Sequence, residues 1–209
     1  DLYRPSGRKA LAAMLNPANM NRGHWLEDSN YALSLMQQFA IHGARTGLAD
    51  RGIFSVNGPP GTGKTTLLRE LFADNIVRRA SVLACLDRAA DAFIGKVAVA
   101  FEGVRDPITI ARLRPELTGF EMVVASSNNA AVENISGDLP KPKQLGKEWA
   151  RTRYLDSVAR RVAADGNGAN RLLAEEDTPW GMISCALGNS SNRRRFISNF
   201  YDDDWDKIT

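Results

Sequence analysis

The run Gly58-Pro59-Pro60-Gly61-Thr62-Gly63-Lys64-Thr65-Thr66 constrains this chain more than any other feature in it. From Gly58 to Thr65 it fits GxxxxGK[ST] at every fixed position, the spacing of a loop that holds phosphate. Each position has its own task. Gly58, Gly61 and Gly63 lack a Cβ, so the backbone can turn consecutive N–H groups inward around a β-phosphate and form an anion nest. The Lys64 ammonium reaches toward the β- and γ-phosphate oxygens, and the Thr65 hydroxyl is placed to ligate Mg²⁺. A helix beginning here aims its positive end at the same charge. The alternative is a glycine-rich turn that matches by accident, and the complete motif together with its flanks weighs against it.

Those flanks read as a strand before and a helix after. Ile53-Phe54-Ser55-Val56 is apolar and β-branched, with glycine on both sides, the pattern of a buried strand. Leu67, Leu68, Leu71, Phe72 and Ile76 then mark one face of a helix that follows Lys64 and extends toward Phe93. Upstream, Leu33, Leu35, Met36, Phe39, Ala40 and Ala44 recur near helical spacing and predict a helix over 31–45, capped by Asp28 or Ser29. Downstream, 96–101 and 108–110 read as a hairpin across a turn at 103–107. Phe120-Glu121-Met122-Val123-Val124-Ala125 predicts another strand, which ends in the polar run Ser126-Ser127-Asn128-Asn129 before a helix at 130–135. A helix over 148–164 and a third strand over 180–187 complete the reading.

Composition narrows the class without choosing a partner. With 27 Lys and Arg against 24 Asp and Glu the net charge is +3, too small a bias for a protein that coats nucleic acid. Cys85 and Cys185 are far apart and outside any metal-ligand spacing, which fits a reducing cytoplasmic compartment. No run approaches the roughly 18 to 20 apolar residues of a bilayer crossing, so no membrane partner is expected. The first residue is Asp1, and the chain is expected to be part of a longer polypeptide with further domains. Its most basic stretch, Lys141 to Arg161 with Trp149 and Tyr154 interleaved, reads as a solvated amphipathic helix ahead of a nucleic-acid arm. Arg193, Arg194 and Arg195 are the better phosphate-contact candidates, because polar loops at the strand ends of an α/β sheet gather on one edge. His24 and His42 have no partner spacing that suggests catalysis or metal.

The phosphate loop with its proline pair, followed downstream by Ser126-Ser127-Asn128-Asn129-Ala130-Ala131-Val132-Glu133, is similar to the Walker A and Ia motifs of superfamily 1 helicases. The likeness is to the 5′-to-3′ subgroup that includes the nonsense-mediated decay RNA helicase. Asn129, Ala131, Val132 and Glu133 fall on the later positions of the subgroup's Ia pattern, with Ser127 where proline is usual and Glu133 where aspartate is usual. The resemblance implies ATP as the nucleotide, Lys64 and Thr65 as catalytic groups, and a second loop that touches the backbone of single-stranded DNA or RNA through Ser127, Asn128 and Asn129. Gln37-Gln38-Phe39-Ala40 resembles the family's adenine-reading Q-x-x-A motif, with Gln37 first. A carboxamide offers the donor and acceptor that an adenine edge requires. An exposed helical glutamine is the equal alternative. Ile183 to Gly188 followed by Asn189 is loosely similar to the strand and loop that precede Walker B.

The implied architecture is α/β: a P-loop NTPase with a RecA-like parallel sheet flanked by helices, a mainly helical insertion, and an incomplete end. Residues 1–30 are a lead-in segment, 31–136 the first half of the ATPase domain, and 137–209 the basic insertion with a possible third strand. What departs from the family bears on hydrolysis. A Walker B motif needs about four apolar residues delivering an Asp-Glu pair, and neither Glu175-Glu176-Asp177 nor Asp202-Asp203-Asp204 is presented that way. Motif III, the arginine finger and a second RecA-like domain are also missing from the sequence. Nucleotide binding is therefore expected to survive better than turnover.

Overall fold

The apolar face of residues 35–47 and the phosphate loop after it set the architecture of the first half of the chain. The structure is a computed structural model that describes residues 4–59, 61–100, 102, 105–127, 135–163, 173 and 175–201. They divide into two compact units, one of 1–25 with 33–122 and one of 26–32 with 123–209.

The first unit contains helices α1 (Pro5–Met14), α2 (Leu35–Gly47) and α3 (Lys64–Leu83), and strands β1 (Phe93–Val99) and β2 (Ile108–Leu113). Helix α2 begins at Leu35 because Ser34-x-x-Gln37 makes a complete capping box, which Asp28 and Ser29 cannot supply from their distance. Helix α3 ends at Leu83, short of the expected Phe93, and a 3-10 turn at Ala89–Ala92 leads into the hairpin. The core gathers Trp25, Ile41, Ala44, Leu67, Phe72, Ala73 and Leu117, with Ile41 and Leu117 fully enclosed. A hairpin pairs β1 with β2 antiparallel, with an irregularity between Phe93 and Lys96. Its register puts Val97 opposite Ile110 and Val99 opposite Ile108, so these aliphatic side chains share one face.

The expected parallel RecA-like sheet is overturned: among the described residues the only sheet is this two-stranded antiparallel hairpin. Residues 53–56 and 120–125 are without ladder partners, as are 180–187 apart from one isolated bridge. Exposure agrees, since Ile53 is 100% exposed and Val123 is 94% exposed. The physical reason is that a β-branched run expresses only a preference for extended backbone, whereas a strand exists when a neighbour takes its N–H and C=O groups. The first of these segments is held in another way. A Cβ built on Gly43 or on Gly47 would lie 3.1 Å from the ring of Phe54, so the ring rests on the small-residue side of α2.

The second unit contains α4 (Asp156–Ala163) and α5 (Ser190–Tyr201), with a helical turn at 135–138 and short 3-10 turns between. The helix expected over 148–164 begins only at Asp156, because 3-10 and turn residues occupy 147–151. Trp180 is its anchor: the indole Nε1 donates to Leu139 O at 2.9 Å, its amide donates to Pro140 O at 2.8 Å, and its carbonyl accepts from Tyr154 N at 3.0 Å. Buried Arg161 on α4 donates through Nε to Asn199 O on α5 at 2.8 Å and fixes the two helices together. No helix among the described residues is long and apolar enough to cross a membrane.

Candidate functional site

Three backbone features shape the phosphate loop. Gly61 and Gly63 stand at φ of 81° and 77°, the left-handed region that residues with a Cβ avoid. Helix α3 starts directly after, with Gly63 as its N-cap, so a left-handed residue is followed by a right-handed one, the alternation that turns successive amides to one side. The first-turn amides have no intrahelical acceptor and face out of the helix start. There is no acidic residue in that turn to oppose an anion.

Side chains close the loop on itself. Lys64 Nζ donates to Gly58 O at 2.6 Å and to Pro59 O at 2.8 Å, and Thr62 Oγ1 donates to Pro59 O at 2.8 Å. Lys64 therefore already lies across the loop that a phosphate would enter, and an incoming anion has to outcompete two carbonyls for it. Thr65 is exposed at the first turn of α3, and Thr66 beside it is half-buried. The chemistry of these residues is compatible with a triphosphate: left-handed glycines, the first-turn amides of α3 and an ammonium lie within one exposed loop. For Mg²⁺ they offer the Thr65 hydroxyl, and no group of three or more His, Cys, Asp or Glu that could hold a metal occurs among the described residues. Bound there, the ion would take its remaining ligands from phosphate oxygens and water. Pro60, Asn128 and Asn129 lie outside the described residues.

Gln37 is brought to the loop, though not as a free amide. Its Oε1 accepts from Ser34 N at 2.8 Å and its Nε2 donates to Gly63 O at 3.4 Å. The remaining sequence candidates are in the second unit. Ser127 is exposed. Arg193, Arg194 and Arg195 occupy the first turns of α5, where consecutive positions point about 100° apart and do not form one face. Arg193 turns back to Leu187 O at 3.1 Å, Arg194 to Ser190 O at 3.4 Å and Arg195 to Asn192 Oδ1 at 3.5 Å. Much of the basic stretch serves its own unit. Lys141 pairs with Asp177 at 3.1 Å, Lys143 with Asp138 at 3.2 Å, and Arg161 is buried. The hydrogen bond that the Lys141 ammonium donates to Asp177 holds the Lys141 pKa above its ordinary value. Asp177, weighed as a carboxylate for Walker B, is the partner in that pair.

Two features escaped the sequence reading. Buried Glu70 on α3 gathers the lead-in segment: its Oε1 accepts from Trp25 N at 3.0 Å, while Oε2 accepts from Asn21 Nδ2 at 3.3 Å and meets His24 Nδ1 at 2.8 Å. Gln38 Nε2 extends the network to Asn21 Oδ1 at 2.9 Å, and Arg45 Nε on α2 lies 3.0 Å from buried Asp74 Oδ2. The signal was present, since Glu70 and Asp74 follow Leu67 at i+3 and i+7 on the face the helix buries. The second is a cavity of about 360 Å³ in the second unit, bordered by Ser136, Lys141, Asp177, Cys185 and Arg195. Burial pushes the Cys185 thiol up. No protein-family model, no curated protein and no solved structure matches this chain.

Proposed function

We propose that the chain binds a nucleoside triphosphate, ATP with Mg²⁺, through residues 58–66, and that it is the ATP-binding portion of an enzyme that works on single-stranded nucleic acid in the manner of a superfamily 1 helicase. One observation carries the nucleotide reading: left-handed Gly61 and Gly63 immediately precede a helix whose first residues are Lys64, Thr65 and Thr66. That arrangement is made by local backbone geometry and needs no surrounding sheet. Lys64 would leave the Gly58 and Pro59 carbonyls for phosphate oxygens, and Thr65 would contribute its hydroxyl to the metal. Nucleotide binding is the part of this reading that residues 58–66 bear on directly.

The nucleic-acid half of the reading rests on the resemblance around Ser127 to Asn129. A second reading, an ATPase that regulates or remodels a protein partner, is favoured by the internal use of Lys141, Lys143 and Arg161. Calorimetry with ATP and Mg²⁺ tests the shared claim: uptake by wild type and its loss in Lys64→Ala are expected, and no uptake by folded wild type refutes it. Strand-stimulated ATPase activity in a polypeptide extended beyond Thr209 separates the two readings. An Arg193→Ala, Arg194→Ala, Arg195→Ala protein should then bind single strands more weakly, with a shallower salt dependence.

A further inference from the structure

We infer that Gln37 is a positioning residue for the phosphate loop and does not select the base. This rests on the nucleotide reading above and assigns its upstream glutamine a different task. A carboxamide reads an adenine edge by presenting its oxygen and its NH₂ together to the base. In Gln37 both ends are directed at backbone: Oε1 to the Ser34 amide at 2.8 Å and Nε2 to the Gly63 carbonyl at 3.4 Å. The Gln37 amide N–H is itself bound to Ser34 Oγ at 3.2 Å, so turning the side chain toward a base would undo half of the capping box that starts α2.

The Gly63 end of this tie is where the loop is most sensitive. Gly63 O also accepts the first α3 hydrogen bond, from Leu67 N at 3.0 Å, and therefore has two donors fixing its direction. A trans peptide is planar, so the Lys64 N–H points the opposite way, out of the helix start where an anion would sit. Gln37 also covers Gly63 closely enough that a Cβ there would run into its amide. The side chain thus links the N-terminus of α2 to the peptide that aims the first phosphate-facing amide. A group acting on that amide affects any phosphate chain equally, whatever base is attached.

The test compares ATP, GTP and inorganic tripolyphosphate, each with Mg²⁺, by calorimetry on wild type, Gln37→Met and Gln37→Glu. Glutamate at this position keeps the capping box, so that variant preserves α2 while removing the donor to Gly63. The expected result is a loss of about 3- to 10-fold for all three probes in Gln37→Met, with the ATP-to-GTP ratio unchanged in both variants. In Gln37→Glu, which keeps the capping box, amide exchange at Leu67 should quicken while that at Ile41 stays as in wild type. A loss confined to ATP, or a collapsed ATP-to-GTP ratio, makes Gln37 a base reader and overturns the inference alone. Unchanged affinity for all three probes in both variants also overturns it. A folded wild type that binds none of the probes overturns the nucleotide reading and this inference together.

Discussion

Replacing Glu70 by alanine should release the lead-in segment from α3, and the size of the effect follows from what the carboxyl group holds. Trp25 N–H would lose its acceptor at a buried site, which costs about 1–3 kcal/mol. Asn21 Nδ2 would lose one of two acceptors and keep Gly23 O at 2.6 Å, which costs about 0.5–1.5 kcal/mol. His24, with a side chain 55% exposed, can turn to water and adds little. The sum is about 1.5–4.5 kcal/mol, felt locally. Because the chain divides into two units, a single unfolding midpoint would blend separate events, so residue-resolved amide exchange is the suitable assay. A loss of about 2 kcal/mol in opening free energy quickens Trp25 amide exchange on the order of 30-fold. Glu70→Gln, which retains a carbonyl oxygen, should change it less, and His24→Ala hardly at all. Trp25 exchange within about twofold of wild type in Glu70→Ala would refute the clamp, as would an equal effect from His24→Ala.

Gly23→Ala should destabilise the first unit by more than about 2 kcal/mol as read by its amide exchange, because the added Cβ would stand 2.7 Å from Ala73 C and Asp74 Cα, which are backbone and cannot turn aside. Ile53→Lys should alter stability by less than about 0.5 kcal/mol, since a fully exposed side chain has nothing to lose; a cost of several kcal/mol would return that segment to an interior. At pH 8, Cys85 should be alkylated by iodoacetamide well ahead of Cys185, because Cys85 is exposed and burial lifts the Cys185 thiol. The same shift has a stability consequence. Above the ordinary thiol value of 9.0 the unfolded chain ionises first, so the Cys185 contribution is complete below pH 9 and is lost as pH rises through the folded value. Cys185→Ala should flatten that alkaline decline in thermal melts.

What the sequence made legible was local. The helical periodicity of 31–45, the helix after Lys64 and the hairpin partners 96–101 and 108–110 all correspond to elements present as α2, α3, β1 and β2. Hydrogen bonds in helices and hairpins close over a few residues, so the pattern that predicts them nearly contains them. The glycines at 61 and 63 adopt left-handed conformations for the same reason, their steric freedom being a property of one residue. The parallel sheet failed because it depends on partners far along the chain, and Ile53-Phe54-Ser55-Val56 carries no information about whether one arrives. Phe54 packs on Gly43 and Gly47 by side-chain contact, an arrangement an apolar run permits equally well. Gln37 shows the same limit: its sequence context displays a carboxamide on a helix, and only the turn at Ser34 and the approach of Gly63 decide where its two ends go.

The same separation of local from distant bears on how the loop holds its shape. In a parallel sheet the segment before a phosphate loop is fixed by ladder bonds on both sides, and the loop inherits that rigidity. Here the incoming segment has the Phe54 ring on α2, and the loop itself has the Lys64, Thr62 and Gln37 bonds to the carbonyls of Gly58, Pro59 and Gly63. Two of those carbonyl contacts belong to Lys64, the group that a triphosphate would recruit on the proposed reading. Binding would then take away part of what holds the loop, and the Gln37 and Thr62 contacts would remain. The burden then falls on α3, which is tied further along its length by Glu70 to the lead-in segment and by Asp74 to Arg45 on α2. A chain built this way should couple nucleotide uptake to the order of residues 21–25, so saturating ATP should slow Trp25 amide exchange in wild type and fail to do so in Lys64→Ala.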